Sequence, residues 1–163
     1  SLSDKRIVIL GAGGAARAIT HFLSKTVPHI SMLNRTRSRG SKLSAQIAKR
    51  SKAQCRAYSL SRADLRKEVP QADLLINTLP VDIFPRFGRI LIHEGLIRPG
   101  IIVFDANYVH RSDFLVDAEH AGATVMDGLE MLVRQAALSF KLWTRRDPPI
   151  EVMRAAAKEA KGG

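Results

Sequence analysis

The sequence predicts an α/β domain built on a doubly wound parallel sheet, and three observations carry that expectation. Short apolar runs of strand length recur at 6–10, 29–33, 55–58, 73–77, 101–105 and 124–126. Helix-like stretches alternate with them at 14–24, 37–50, 61–68, 112–121, 128–144 and about 150–160, the last after Pro148-Pro149. Gly100 and Gly122-Ala123 punctuate the approaches to the last two strands. Strands buried on both faces and separated by helices are the pattern of βαβ units. Ligands on such sheets lie beyond the carboxyl ends of the strands. The informative residues are therefore Gly11–Gly14, Asn34–Arg39, Asn77–Val81, Asp105–Tyr108 and Asp127-Gly128.

The first strand, Ile7-Val8-Ile9-Leu10, runs into Gly11-Ala12-Gly13-Gly14-Ala15-Ala16 and then a helix-like segment from Ala15 to Leu23. Gly11 permits the sharp exit from the strand, Gly13 lets backbone approach a pyrophosphate, and Ala16 takes the third small position where helix meets sheet. The free N–H groups and positive dipole end of that helix face the phosphates. The second strand ends in Asn34-Arg35-Thr36-Arg37-Ser38-Arg39, where an NAD-specific site carries an acid for the ribose 2′-hydroxyl. A 2′-phosphate instead suits guanidinium forks. Arg35 is placed to flank the adenine and Arg39, one helical turn on, to reach the phosphate. The pair of features argues for NADP.

Composition sets outer bounds. The 163 residues are expected to form a single domain, 1–163, of a size able to bury a core. Hydrophobic residues make up 45% and mean hydropathy is −0.06, and no run approaches the ~20 apolar residues that span a bilayer. No secretory signal pattern is present, and the single cysteine, Cys55, excludes an internal disulfide. Together these lead us to expect a cytoplasmic protein with Cys55 as buried filler. The chain enters its first strand within five residues of Ser1, which reads as a domain cut from something longer.

Net charge is +11, and between Arg35 and Lys67 eleven cations face one acid, Asp64. Such an edge draws in a polyanionic coenzyme. It also raises nucleic-acid binding, but the stretch has one aromatic, Tyr58, and no nucleic-acid-reading module. The histidines (His21, His29, His93, His110, His120) lack metal-ligand spacing, and no G-x-S-x-G elbow or G-x-x-x-x-G-K-S/T loop occurs. Asp73, Asp105 and Asp127 lie near strand ends, where turn or helix caps are the expectation.

Further stretches make the sequence resemble shikimate dehydrogenase in its NADP-binding domain. They are Gly11–Ala15, Asn34-Arg35-Thr36 with Arg39, Asp73-Leu74-Leu75-Ile76-Asn77-Thr78 with Pro80, Gly128-Leu129-Glu130-Met131-Leu132, Gln135-Ala136-Ala137 and Leu142-Trp143-Thr144. The resemblance implies a Rossmann-like domain of an NADPH-dependent oxidoreductase that reduces 3-dehydroshikimate to shikimate, in the chorismate pathway of aromatic amino-acid biosynthesis. It implies pyrophosphate contacts at Gly11, Ala12, Gly13, Gly14 and Ala15, and 2′-phosphate contacts at Asn34, Arg35, Thr36 and Arg39. It puts Ala106 and the Gly128 backbone beside the nicotinamide, with Tyr108 and Gln135 toward the substrate. The family's preceding substrate-binding domain, which supplies a lysine and an aspartate for proton transfer, is expected to be absent. Lys25-Thr26-Val27-Pro28-His29 does not match the catalytic lysine's context. The chain alone is thus expected to bind NADP(H) without turnover.

Departures from the family pattern are Leu79, Asp82 and Ile83 in the loop after the fourth strand, then Phe84-Pro85-Arg86-Phe87-Gly88-Arg89. Asn107-Tyr108-Val109-His110 lacks the family's Tyr-Asn-Pro. The alternative reading is a non-catalytic NADP(H)-sensing module with a basic surface for a polyanionic partner. Helix 128–144 carries Leu129, Leu132, Val133, Ala136, Phe140 and Trp143, an apolar surface expected to pack on a partner domain or to promote self-association. Lys161-Gly162-Gly163 reads as a frayed tail.

Overall fold

The computed structural model describes residues 2–108 and 112–162. Six strands form one all-parallel sheet: β1 (Arg6–Leu10), β2 (His29–Asn34), β3 (Gln54–Ser59), β4 (Leu74–Asn77), β5 (Ile102–Asp105) and β6 (Thr124–Asp127). Their spatial order is β3-β2-β1-β4-β5-β6, so the winding reverses between β1 and β4 and opens a crevice there. The doubly wound α/β fold is as the alternation predicts.

Among the described residues seven α-helices follow: α1 (Gly14–Leu23), α2 (Arg37–Ala48), α3 (Arg62–Glu68), α4 (Phe84–His93), α5 (Asp113–His120), α6 (Leu129–Thr144) and α7 (Ile150–Gly162). One face of the sheet packs Ile7, Ile9, Ile30 and Met32 with Ala16 and Leu23 of α1 and Leu43 and Ile47 of α2. The opposite face packs Val8, Leu10, Leu75 and Val103 with Leu65, Phe87, Leu91, Phe114 and Leu115 from α3, α4 and α5. Burial of these strands on both sides explains why the sequence shows continuous rather than alternating apolar runs.

Three expectations are corrected. The sequence reading places no helix between the fourth and fifth strands, yet α4 lies there. Its Phe84-Pro85-Arg86-Phe87-Gly88 opening looks loop-like, but Pro85 sits in the first turn, where its lost N–H costs nothing. Phe84, Phe87, Gly88 and Leu91 are buried at helical spacing. The Phe84 and Phe114 rings meet edge to face at 4.8 Å and 81°, and Gly88 is small because both rings lie within 3.4 Å of where a side chain would begin. At the other end, Lys161 and Gly162 of the expected frayed tail are helical, and Gly163 lies outside the described residues. α7 runs to Gly162, and Lys161 pairs with the Asp127 carboxylate at the end of β6.

α6 and α7 are joined by Glu130, whose carboxylate takes Arg154 Nε and Nη2, each at 2.9 Å, and Arg134 Nε at 2.9 Å. The Arg154 hydrogen bond, ahead of the surrounding charges, holds the Glu130 carboxyl at about 2, well below its ordinary value. The apolar face of α6 also differs from expectation. Val133 is buried, Leu129, Leu132, Ala136 and Phe140 are half-buried, and the exposed residues are Leu138, Leu142 and Trp143, the last 83% exposed.

Candidate coenzyme site

The crevice at the carboxyl edge is assembled by backbone bonds between strand ends. Gly11 N donates to Leu33 O at 2.8 Å, which ties the glycine turn to the start of the Asn34–Arg39 loop. Thr78 N and Thr78 Oγ1 both donate to Leu10 O, at 2.9 and 2.8 Å, tying the same turn to the end of β4. Gly11 has φ +111°, and a Cβ there would stand 2.4 Å from Thr78 Oγ1. The turn therefore demands glycine at that position for reasons internal to the chain.

Gly13 and Gly14 differ. Gly13 caps α1 in extended conformation, and a Cβ built on either residue meets nothing within 4 Å. Gly13, Gly14 and Ala15 are exposed while Ala16 is fully buried under α1. Packing within the chain therefore sets no need for glycine at 13 or 14. The first-turn N–H groups of α1 open onto that space with no acid in the turn.

Arg35, Thr36 and Arg39 are exposed at the end of β2 and the start of α2, beside the glycine turn. Arg39 N donates to Thr36 O at 3.0 Å. Asn34 Nδ2 donates to Thr36 O at 2.8 Å, so this amide shapes the loop that presents the arginines. Arg37, the loop's third arginine, turns to the edge strand and donates from Nε to Ala57 O.

Beyond β4 the mouth is held by a buried polar cluster. Asn77 is fully buried. Its Nδ2 donates to Asp105 Oδ1 at 2.9 Å and its Oδ1 accepts from Leu79 N at 3.0 Å. Asp105 Oδ1 also accepts from Asn107 N and Asn107 Nδ2, at 3.0 and 2.8 Å. Ala106 is thereby fixed between two anchored residues, and a Cβ on Gly128 would lie 2.2 Å from Ala106 O. Ala106 and Gly128 are in direct backbone contact. Asp127 Oδ1 accepts from Leu129 N at 3.0 Å and opens α6. Asp105 and Asp127 are thus occupied in holding turns, as is Asp73, which accepts from Arg6 N at the opposite edge of the sheet.

Tyr108 stands 40% exposed after β5, and Gln135 is exposed about two turns along α6 from Gly128. Val109 and His110 lie outside the described residues. Leu79 is buried, whereas Val81 and Asp82 stand exposed at the rim. Sequence reasoning did not assign Thr78 or the Asn77–Asp105–Asn107 cluster. Their signal was position alone, immediately after β4 and β5. Cys55 is half-buried rather than buried as expected, and that burial pushes its thiol up to about 11, away from the thiolate form that reacts. Among the described residues no His, Cys, Asp and Glu cluster suits a metal ion, and no helix is long and apolar enough to cross a membrane.

Strand order and an open glycine turn at the switch point define a Rossmann-type domain. Comparison with known proteins narrows the class. A model of the shikimate/quinate 5-dehydrogenases matches residues 1–80, and one of the shikimate 5′-dehydrogenase C-terminal domain matches residues 128–158. A shikimate dehydrogenase (NADP(+)) of Moorella thermoacetica is 38% identical over 162 residues, covering 98% of this chain and 55% of the relative. The crystal structure of Listeria monocytogenes shikimate 5-dehydrogenase with shikimate and NAD superposes with a TM-score of 0.81 at 28% identity, over 96% of this chain and 56% of that one. A shikimate dehydrogenase in complex with NADP+ gives a TM-score of 0.77 at 32% identity, over 96% and 55%. The chain belongs to the shikimate dehydrogenase family. It spans about half the length of the curated relatives it matches.

Proposed function

We propose that this chain holds NADP(H) for an oxidoreductase that reduces the ring ketone of 3-dehydroshikimate to the alcohol of shikimate. The observation that carries this reading is the open glycine turn bonded through Gly11 to a loop bearing exposed Arg35, Thr36 and Arg39 and no carboxylate. The residues present fit the coenzyme, since Gly13 and Gly14 leave their outer side clear to 4 Å. When bound, NADPH supplies the hydride. The backbone of Gly11, Ala12, Gly13, Gly14 and Ala15 holds the pyrophosphate, and Arg35, Thr36 and Arg39 hold the 2′-phosphate, with Asn34 bracing the loop. Ala106 and Gly128 flank the nicotinamide, and Tyr108 and Gln135 face the substrate.

Reduction of a ketone also needs a proton at the developing alkoxide. The family's proton-transfer lysine and aspartate have no matching positions among these residues. The 163 residues alone bind NADP(H) and do not oxidise shikimate. Exposed Leu138, Leu142 and Trp143 favour self-association of the chain on its own. A cytoplasmic setting belongs to the same reading.

Calorimetric titration tests it. The chain binds NADPH, and Arg39→Ala weakens that binding by about 1.5–3 kcal/mol, the worth of a charged hydrogen-bonding partner, with NADH little affected. No NADPH binding, or shikimate oxidation by this chain by itself, overturns the proposal.

A further inference from the structure

Residues 5–63 form β1, α1, β2, α2 and β3 and hold thirteen lysines and arginines without one carboxylate. The coenzyme accounts for the arginines at the mouth. It does not account for Arg17, Lys25, Lys49, Arg50 and Lys52, which lie along α1 and α2 and at their far ends. Lys5 and Arg62, at the two ends of this stretch, reach carboxylates outside it, Asp73 and Glu94, and several later cations are paired as well: Arg66 with Glu94, Arg98 with Asp73, Arg154 with Glu130. Among the described residues no ion pair reaches any of the five.

These cations border a groove. Between α1 and α2 lies a hollow of about 560 Å³ with exposed Ala18 over the buried Leu43 and Ile47 at its base and Arg17, His21, Lys49 and Arg50 around it. Arg50 also borders a second hollow of about 500 Å³ at the trailing end of the sheet, together with Lys25 and Lys52. Phe22, one turn on from Ala18 along α1, is 71% exposed. The surface thus offers an apolar floor, one exposed aromatic ring and an unopposed cationic border, away from the carboxyl-edge crevice.

We propose that the α1–α2 groove docks an acidic, amphipathic segment of a partner protein. Carboxylates on such a segment meet the cationic border, and its apolar side chains meet Phe22 and the groove floor. A nucleic acid matches the charge but not the floor, and the groove has no stacked aromatic platform on which bases lie. Because the groove is separate from the glycine turn, the partner and the coenzyme bind together.

Fluorescence anisotropy tests this with the 163-residue chain and a labelled amphipathic Glu/Leu peptide of roughly four helical turns, about 14 residues. Oligoglutamate and single-stranded DNA serve as competitors. The Glu/Leu peptide binds saturably, and added salt weakens it. The pair Lys49→Glu/Arg50→Glu lowers its affinity at least about tenfold and Phe22→Ser lowers it several-fold, while NADPH affinity is unchanged in both. The pair Arg145→Glu/Arg146→Glu, equal in charge but after α6, leaves peptide binding as it was. Four results overturn the proposal: oligoglutamate binding as tightly as the Glu/Leu peptide, DNA displacing it more effectively, equal loss in the Arg145/Arg146 pair, or no effect of the Lys49/Arg50 pair.

Discussion

The two halves of the crevice are built by opposite means. On the β1–β2 side, small residues face open space, and arginines project from a loop held by a few backbone bonds. On the β4–β6 side, Gly128 is small because the chain itself fills the space, and Asn77, Asp105 and Asn107 form a closed hydrogen-bonded unit. One side leaves its backbone open. The other is shaped by its own packing, and chemistry placed against it inherits that rigidity. The same residue type therefore carries different information on each side.

Gly128→Ala puts the contrast to its severest test. Its Cβ would fall 2.2 Å from backbone Ala106 O, so strand end and helix start must separate, at a cost of about 2–3 kcal/mol and roughly 5–10 °C in Tm by calorimetry. Asp105→Ala follows, because it strands the buried Asn77 amide. We expect about 1–3 kcal/mol lost in urea unfolding. Gly13→Ala is the counterpart on the other side: stability changes by less than about 0.5 kcal/mol, while NADPH affinity falls at least about tenfold. Equal stability loss in Gly13→Ala and Gly128→Ala would erase the distinction.

The smallest effect concerns the α6–α7 pair. Glu130 has its carboxyl held at about 2 against an ordinary 4.5. A depressed carboxylate contributes stability above its unfolded value and loses that contribution as pH falls through the folded one. α7 amides should thus exchange faster as pH drops from about 4.5 towards about 2, after correction for intrinsic rates. Glu130→Gln removes that dependence. Exposure of the group keeps the effect modest.

Much of this was legible in the residues. Apolar runs located all six strands, and the glycine turn located the switch point, because period and backbone freedom are local properties. α4 was not legible. Proline, glycine and two phenylalanines in five residues mimic a loop until Phe114, far along the chain, is seen to receive them. Nor was the reason for Gly128, which depends on Ala106 arriving from another strand. Of the apolar stripe read on α6, Trp143 is exposed while Val133 is buried and Leu129, Leu132, Ala136 and Phe140 are half-buried, because burial depends on packing that the helix alone does not reveal.

Asp127 is gripped from two directions, by Leu129 N–H on one oxygen and by Lys161 on the other. The last turn of α7 is thus wired into the corner where β6 gives way to α6. A dye or fusion partner grafted onto that turn will report on the corner and disturb it. One attached ahead of Arg6, where β1 begins at the opposite edge of the sheet, will leave it alone.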